Sequence, residues 1–232
     1  MNRHLLAAAC AAAAVAAPGY AAERHFSVTD FNRVRVDGPY RVKLTTGVSP
    51  FATASGSPAA INGVSVEVQG TTLVVRANTS SWGGYPGQSP GPVEINAGTH
   101  DLTDVWLNGA GALAIDKAKG LTFGVSVQGP GSVTIDKLAV DRLDAGLSGS
   151  GSAVLGGKAA QVTAIARGTA TFDGTNLIAK DATIGAEGTS VVKLNATGTA
   201  KVDTRGTSTV VLGGGPACTV KAAGSATVSG CD

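Results

Sequence analysis

The chain has 232 residues, and 18 lysine and arginine residues nearly balance 16 aspartate and glutamate residues, for a formal net charge of +2. This balance excludes a strong electrostatic attraction to nucleic acid or to an anionic membrane surface. Glycine occurs 33 times and aromatic residues make up only 4% of the chain, a composition that favours short strands and tight turns over helices.

Residues 1–22 have the layout of a secretory signal peptide. Arg3 gives a basic start, a continuous apolar run extends over Leu5–Ala17, and small residues follow it. The run is shorter than the roughly 20 apolar residues of a membrane-spanning helix, so stable membrane insertion is not expected. We expect cleavage after Ala21 or Ala22 and export of the mature chain to the periplasm or to the outside of the cell.

Two stretches after this leader alternate apolar and polar residues in the manner of strands. FNRVRVDGPYRVKLTTG, residues 31–47, alternates around Gly38, and VSVEVQGTTLVVRA, residues 64–77, alternates around Gly70. We expect these strands to begin the sheet system and to cap its first coil, because an open end of stacked coils is an unpaired sheet edge.

A glycine- and proline-rich segment, ANTSSWGGYPGQSPGP at residues 77–92, predicts a surface loop. It carries Trp82 and Tyr85, and Trp106 follows on an outward position three residues before Gly109. Exposed aromatic residues on a polar β-rod suit sugar stacking or protein contact. The alternative is that these side chains fold back and cover the end of the core.

From residue 99 onward a small-residue turn recurs at steps of 18 to 20 residues, and apolar residues lie at even offsets on both sides of it. A repeat this short cannot bury its own apolar face, so stacking of repeats must build the core. The pattern predicts an all-β fold, a right-handed parallel β-helix of about seven coils of 18–20 residues. The first glycines of the turns are Gly109, Gly129, Gly149, Gly168, Gly188, Gly206 and Gly224.

The domain organisation follows from this repeat. We expect one β-helical domain over residues 23–232, in which residues 23–98 supply the N-terminal strands and the loop, and residues 99–232 the regular coils. Leucine-rich repeats have a similar period, but their signature is absent. A β-sandwich would not require columns that match at a period of twenty residues, so the matching columns favour the β-helix.

Cysteine usage fits an exported protein. Cys218 and Cys231 are expected to form a disulfide, because exported chains meet an oxidising compartment; two buried free thiols are the alternative. Cys10 lies early in the apolar run, and Ala7 occupies the position where a lipidation signal prefers leucine. A lipoprotein is therefore a weak alternative.

The order of these stretches resembles the bacterial DUF2807 family, also known as auto-transporter adhesin head GIN domains. The resemblance runs from about Phe31 to the C-terminus and rests on the two N-terminal stretches followed by SGSG-type turns that end in VLGG. In the second half of the chain the turn sequences differ from SGSG: they are RGTA, EGTS and RGTS, which begin at Arg167, Glu187 and Arg205. The resemblance implies a β-helical fold and an envelope or extracellular setting, and it implies no catalytic residues.

Catalytic and metal-binding patterns are scarce. A Ser-His-Asp arrangement would have to use His100, since His4 lies in the leader and His25 lies beside the cleavage site. The stretch Gly146–Ser150 lacks the last glycine of a G-x-S-x-G elbow, and no zinc, calcium or dinucleotide pattern occurs. The sequence predicts no metal site, no cofactor and no catalytic residue.

One column of side chains, immediately before the corner glycines, is expected to face outward. Within it Arg167, Glu187 and Arg205 would be neighbours of alternating charge. Such a face suits a glycan; the alternative is a solvated strip whose ion pairs contribute about 0–1 kcal/mol each. The column consists of Asn108, Gln128, Ser148, Arg167, Glu187, Arg205 and Ala223, and Asp144, Asp173 and Asp203 lie on the same coils.

These features predict an exported, non-catalytic binding or adhesion scaffold of the bacterial cell envelope that contacts a glycan or an envelope protein through its outer faces. Trp82, Tyr85, Trp106 and the charged column are the candidate binding residues. The alternative is a polysaccharide lyase or glycoside hydrolase that uses the acidic and basic column. A self-assembling coat, in which end coils pair between molecules, is a third hypothesis, and nucleic acid is not an expected partner.

Overall fold

The computed structural model describes residues 22–79 and 91–232. Strands account for 73% of the structure and helix for 2%, so the predicted all-β class is confirmed. Of the leader predicted at residues 1–22, only Ala22 lies among the described residues, and Trp82 and Tyr85 lie outside them. In the described parts of the chain, no helix is long and apolar enough to cross a membrane.

Successive coils stack in parallel register, as the repeat predicts. Val133 of one coil pairs with Ala153 of the next, which in turn pairs with Phe172. The longest strands run from one corner glycine to the next, because the third stretch of each coil also pairs with its neighbours and continues the strand. The strands of the coils are β8 (Asp104–Asn108), β9 (Ala112–Gln128), β10 (Ser132–Gly149), β11 (Ser152–Gly168), β12 (Thr171–Gly188), β13 (Val191–Ala196), β14 (Thr199–Gly206), β15 (Thr209–Gly213), β16 (Ala217–Gly224) and β17 (Thr227–Ser229).

The N-terminal strands join the same sheet system, but their stacking order differs from their order along the chain. Residues 33–46 pair in parallel with the first regular coil on one side and with strands from residues 72–99 on the other. Val34, for example, lies between Leu73 and Val105. The elements of this part are β1 (Ala22–Phe26), β2 (Arg33–Asp37), β3 (Arg41–Thr46), β4 (Phe51–Gly56), α1 (Pro58–Asn62), β5 (Val64–Gln69), β6 (Thr72–Ala77) and β7 (Val93–Thr99).

Antiparallel pairing is confined to this N-terminal part of the described residues. β5 pairs with β6, β4 pairs with β7, and β1 pairs with the other edge of β4. All other ladders between the described strands are parallel. That the N-terminal strands act as a cap stays a prediction.

The solenoid presents two long sheet surfaces. We call one of them the front face. It is formed, in order of pairing, by β6, β2, β8, the C-terminal halves of β9 to β12, β14 and β16. The second face is formed by β7, β3, the N-terminal halves of β9 to β12, β13, β15 and β17. Side chains alternate along each strand, so that Val105 and Leu107 are buried while Trp106 between them is partly exposed.

Glycine occupies the corners because neighbouring corners approach each other closely. Gly149 has a φ of +100°, which L side chains rarely adopt, and a Cβ atom there would lie 3.2 Å from the backbone nitrogen of Gly129. The solenoid has about six turns. The three-residue strand β17 follows the seventh corner, at Gly224.

One continuous apolar core extends along the stack. The predicted inward columns are buried in the interior coils, as Leu107, Val127 and Leu147 illustrate. Val220 differs from the prediction, since it is 43% exposed. The reason is its place in the stack: among the described strands β16 pairs only with β14, and no further coil covers it.

The predicted disulfide is confirmed. Cys218 and Cys231 are bonded with an S–S distance of 2.06 Å. The bridge joins β16 to the residues that follow β17, and a hydrogen bond of 3.3 Å from the Asp232 backbone nitrogen to the Pro216 carbonyl oxygen lies beside it. Both contacts hold the residues after β17 against the start of β16.

Candidate binding face

The predicted charged column exists on the front face. Arg167 pairs in register with Glu187, which pairs with Arg205. Arg167 Nε lies 3.2 Å from Glu187 Oε2, whereas Arg205 Nε pairs with Asp203 Oδ1 at 3.4 Å. The alternating ladder therefore forms one cross-coil ion pair and one pair within a strand. The partners are about half exposed, and such pairs contribute little to stability.

The column continues beyond the regular coils to Asp37, which lies next to Asn108 in register. The Asn108 side-chain nitrogen Nδ2 donates a 2.6 Å hydrogen bond to Asp37 Oδ1. Sequence reasoning did not place Asp37 in this column. The signal was present, because VRVDG at residues 34–38 has the same alternation and corner glycine as VWLNG at residues 105–109.

A groove of about 630 Å³ opens on the front face around Trp106. We call it the Trp106 groove. Trp106 lies in register between Arg35 of β2 and Ser126 of β9. Asn108 and Gln128 line the groove from the regular coils, and Arg35 and Asp37 line it from β2, together with residues of β5 and β6.

A smaller depression of about 210 Å³ continues the groove along the front face and shares Gln128 with it. Its floor is low because Ser126 and Gly146 follow Trp106 in the outward column, and Ile165, which is 37% exposed, stands at the far side. A Cβ atom at Gly146 would meet no atom within 4 Å. The space above Gly146 is therefore open.

The charged side chains that line both depressions are paired. Arg35 Nε lies 2.9 Å from Asp37 Oδ2, and Arg167 pairs with Glu187 as described above. On the strip beside the groove, the pairs Arg33–Asp104 and Arg142–Asp144 are 3.4 Å and 2.9 Å long. This part of the front face is therefore rich in polar groups and locally neutral.

Asp144, Asp173 and Asp203, the aspartates on the coils of the charged column, do not lie together at one site. Asp144 and Asp203 lie on the front face, each paired with an arginine, whereas Asp173 lies on the second face. The hydroxyl and backbone N–H of Thr175 donate hydrogen bonds to Asp173 and hold the pKa of its carboxyl below its ordinary value. A carboxylate held in its ionised form is a poor general acid.

His100 is the histidine that a Ser-His-Asp arrangement would have to use, and its described partner is a carboxylate. His100 Nδ1 lies 3.2 Å from Asp30 Oδ1, and no hydroxyl of a described serine hydrogen-bonds to this imidazole. The His100 side chain is the main cause of the lowered pKa of the Asp30 carboxyl. Among the described residues, no three histidine, cysteine, aspartate or glutamate side chains cluster in a way that could hold a metal ion.

The sequence matches a family model described as "Putative auto-transporter adhesin, head GIN domain", DUF2807, over residues 30–216. The match covers most of the chain. The chain belongs to the DUF2807 family. The predicted resemblance is thereby confirmed. No curated protein matches the sequence of this DUF2807 protein.

Solved structures resemble the DUF2807 protein over nearly its whole length. A "putative adhesin" from Bacteroides fragilis has a TM-score of 0.80 at 18% identity, with 91% of this chain and 97% of that chain covered. A "putative lipid binding protein" from Parabacteroides distasonis has a TM-score of 0.68 at 17% identity, covering 91% and 97%. A "putative adhesin" from Parabacteroides merdae has a TM-score of 0.64 at 16% identity, covering 90% and 95%. At these identities the likeness concerns the fold.

Proposed function

We propose that the DUF2807 protein is a non-catalytic binding or adhesion protein of the bacterial cell envelope, which contacts a glycan or a protein through its outer faces. The observation that carries the proposal is the Trp106 groove. It combines an aromatic side chain, three side-chain amides and paired charges in one concave surface, and convergent polar groups beside an aromatic residue can orient a ligand. The family description and the names of two structural relatives point in the same direction.

Export is part of the proposal. The leader at residues 1–22 has a basic start, an apolar run and small residues before the expected cleavage site. The Cys218–Cys231 disulfide is typical of proteins in an oxidising compartment. A fusion of residues 1–22 to a phosphatase that is active only outside the cytoplasm should give active enzyme, and a fusion that begins at Glu23 should not. Equal activity of the two fusions would refute export by this leader.

The binding proposal can be tested with the purified exported chain on an array of bacterial and host glycans and against extracts of envelope proteins. We expect saturable binding without release of shorter sugars. Product release that disappears in Asp203→Ala would instead establish the polysaccharide lyase or hydrolase alternative. An absence of saturable binding to every glycan and protein fraction would refute the proposal.

A further inference from the structure

We propose that the Trp106 groove binds one uncharged glycan chain, which lies lengthwise across the stacked strands from β6 to β11. The inference rests on the proposed function, because it assumes that the protein is a binding protein, and it adds the site, the direction and the chemical class of the ligand. Four observations carry it: the spacing of the outward residues, the free polar groups, the paired charges and the open space at Gly146.

The outward column gives the site a direction. Arg35, Trp106, Ser126, Gly146 and Ile165 follow one another in register, one from each strand of the front face. Val74 of β6 lies next to Arg35 in register but is buried. Adjacent strands are about 4.8 Å apart, so the five outward residues span roughly 19 Å. Two depressions that follow one another along such a line fit an extended polymer better than a compact small molecule.

Free polar groups border this column. In the described residues, neither the Trp106 indole N–H nor the Gln128 side-chain amide forms a hydrogen bond, and Asn108 donates through Nδ2 while its Oδ1 stays available as an acceptor. Sugar hydroxyls both donate and accept, so they match amides of this kind. The indole supplies an apolar surface with a polar end, which suits the mixed surface of a sugar ring.

The charges select against an acidic chain. Arg35 and Arg167 are the cations that line the two depressions, and both are already paired, with Asp37 and Glu187 respectively. Each of these arginines pairs through Nε, and a carboxylate or sulfate on the ligand would approach it beside the negative charge of its acidic partner, which opposes binding. An uncharged chain avoids this repulsion. By contrast, Lys117, Lys119 and Lys137, which lie off the front face, form no ion pair among the described residues.

Gly146 leaves room that the fold does not need. It lies within β10, outside the set of glycines with positive φ, and its missing side chain leaves no close neighbour. A larger residue would fit sterically at this position, and it would fill the passage between Trp106 and Ile165. We infer that the passage is occupied by the ligand.

The test uses isothermal titration with uncharged linear oligosaccharides of glucose, mannose or xylose, from disaccharides to hexasaccharides, and with uronic acid oligomers of the same lengths. We expect affinity to rise with the length of the uncharged chains and to change by less than about twofold when salt is raised. Trp106→Ala should weaken binding by about tenfold or more. Gly146→Gln should block all but the shortest oligosaccharides.

Two controls keep the result specific. Gly185→Gln makes the same change on the same face one strand beyond Ile165, where a Cβ atom has only ordinary contacts, and Leu121→Ala removes a side chain that is 77% exposed and does not line the groove. Both should bind as the unchanged protein does. Thermal melting of each variant separates loss of binding from loss of fold.

The outcomes distinguish the inference from the proposed function. Tighter binding of uronic acid oligomers, or equal affinities of Gly146→Gln and Gly185→Gln, would overturn the inference and leave a binding protein with a different site or ligand. Binding of an envelope protein independently of Trp106 and Gly146, without binding of any uncharged oligosaccharide, would do the same. If no glycan and no envelope protein binds the unchanged chain, both the inference and the proposed function are wrong.

Discussion

Asn108 donates a 2.6 Å hydrogen bond to Asp37 across 71 residues of chain. The contact joins β8, the first strand of the regular coils, to β2, which lies near the N-terminus. Asp37 in turn pairs with Arg35, which lines the Trp106 groove. One carboxylate therefore orients an amide and neutralises a cation at the same place.

The first prediction concerns this carboxylate. Asp37→Ala should leave the Arg35 guanidinium without its ion-pair partner and should remove the acceptor of the Asn108 amide. We expect weaker binding of uncharged oligosaccharides and a gain of affinity for uronic acid oligomers that disappears in high salt. The matched control is Asp203→Ala, which removes the partner of Arg205 beyond the end of the groove. Equal ligand preferences in the two variants would contradict the prediction.

The second prediction compares two glycines of β10. Gly146→Thr should raise the free energy of unfolding by about 0.5–1 kcal/mol, because a glycine inside a strand is entropically unfavourable and the space for a side chain is open. Gly149→Thr should lower it by about 1–3 kcal/mol, since Gly149 has positive φ and faces the backbone of Gly129. Urea unfolding measures both. A stability loss in Gly146→Thr would show that this glycine serves the fold.

The third prediction concerns the disulfide. Cys218 and Cys231 are 13 residues apart, and a loop of this size contributes about 3 kcal/mol in the chain-entropy account. Because each coil of a solenoid contacts only its neighbours, we expect the effect of reduction to stay local. Hydrogen exchange should accelerate in β16 and β17 and remain unchanged in β9 to β12. The Cys218→Ser, Cys231→Ser variant should show the same fast exchange with or without reductant; cooperative loss of the whole fold would contradict a local role.

The fourth prediction concerns acid stability at the start of the pairing between β12 and β14. The Thr199 hydroxyl and backbone N–H donate hydrogen bonds of 2.6 Å and 3.1 Å to Asp181 Oδ1, and they hold the pKa of this carboxyl below its ordinary value of about 3.9. The folded state favours the ionised form, so the stabilisation is present above about pH 4 and is lost as pH falls through the lowered pKa.

Asp181→Asn should therefore reduce stability at neutral pH and make stability depend less on pH below about pH 4. Urea midpoints at about pH 7 and about pH 3 measure the effect. Asp136→Asn is the matched control, because the Asp136 carboxylate forms no hydrogen bond or ion pair among the described residues. Parallel pH profiles for the Asp181 variant and the unchanged protein would contradict the prediction.

Part of the candidate site could be predicted from residues alone. The sequence predicts that Trp106, Arg167 and Glu187 face outward, because period-2 alternation around a corner glycine tells which side of a strand each residue occupies. The sequence does not predict which acid pairs with Arg205, because Asp203 on the same strand competes with Glu187 on the neighbouring coil. Side-chain choice between two nearby acids depends on rotamers, which the repeat pattern does not contain.

Sequence alone predicts the coil period, the inward columns of the interior coils and the corner glycines, because each follows from local alternation, and it indicates the cysteine pair from the oxidising compartment. The tertiary structure alone revealed that residues 33–46 are inserted between β6 and β7 on one side and the first regular coil on the other. Alternation shows which residues face the core but not which strand lies beside which. The Trp106 groove depends on that pairing, since it brings Arg35 and Asp37 beside Trp106 and Asn108.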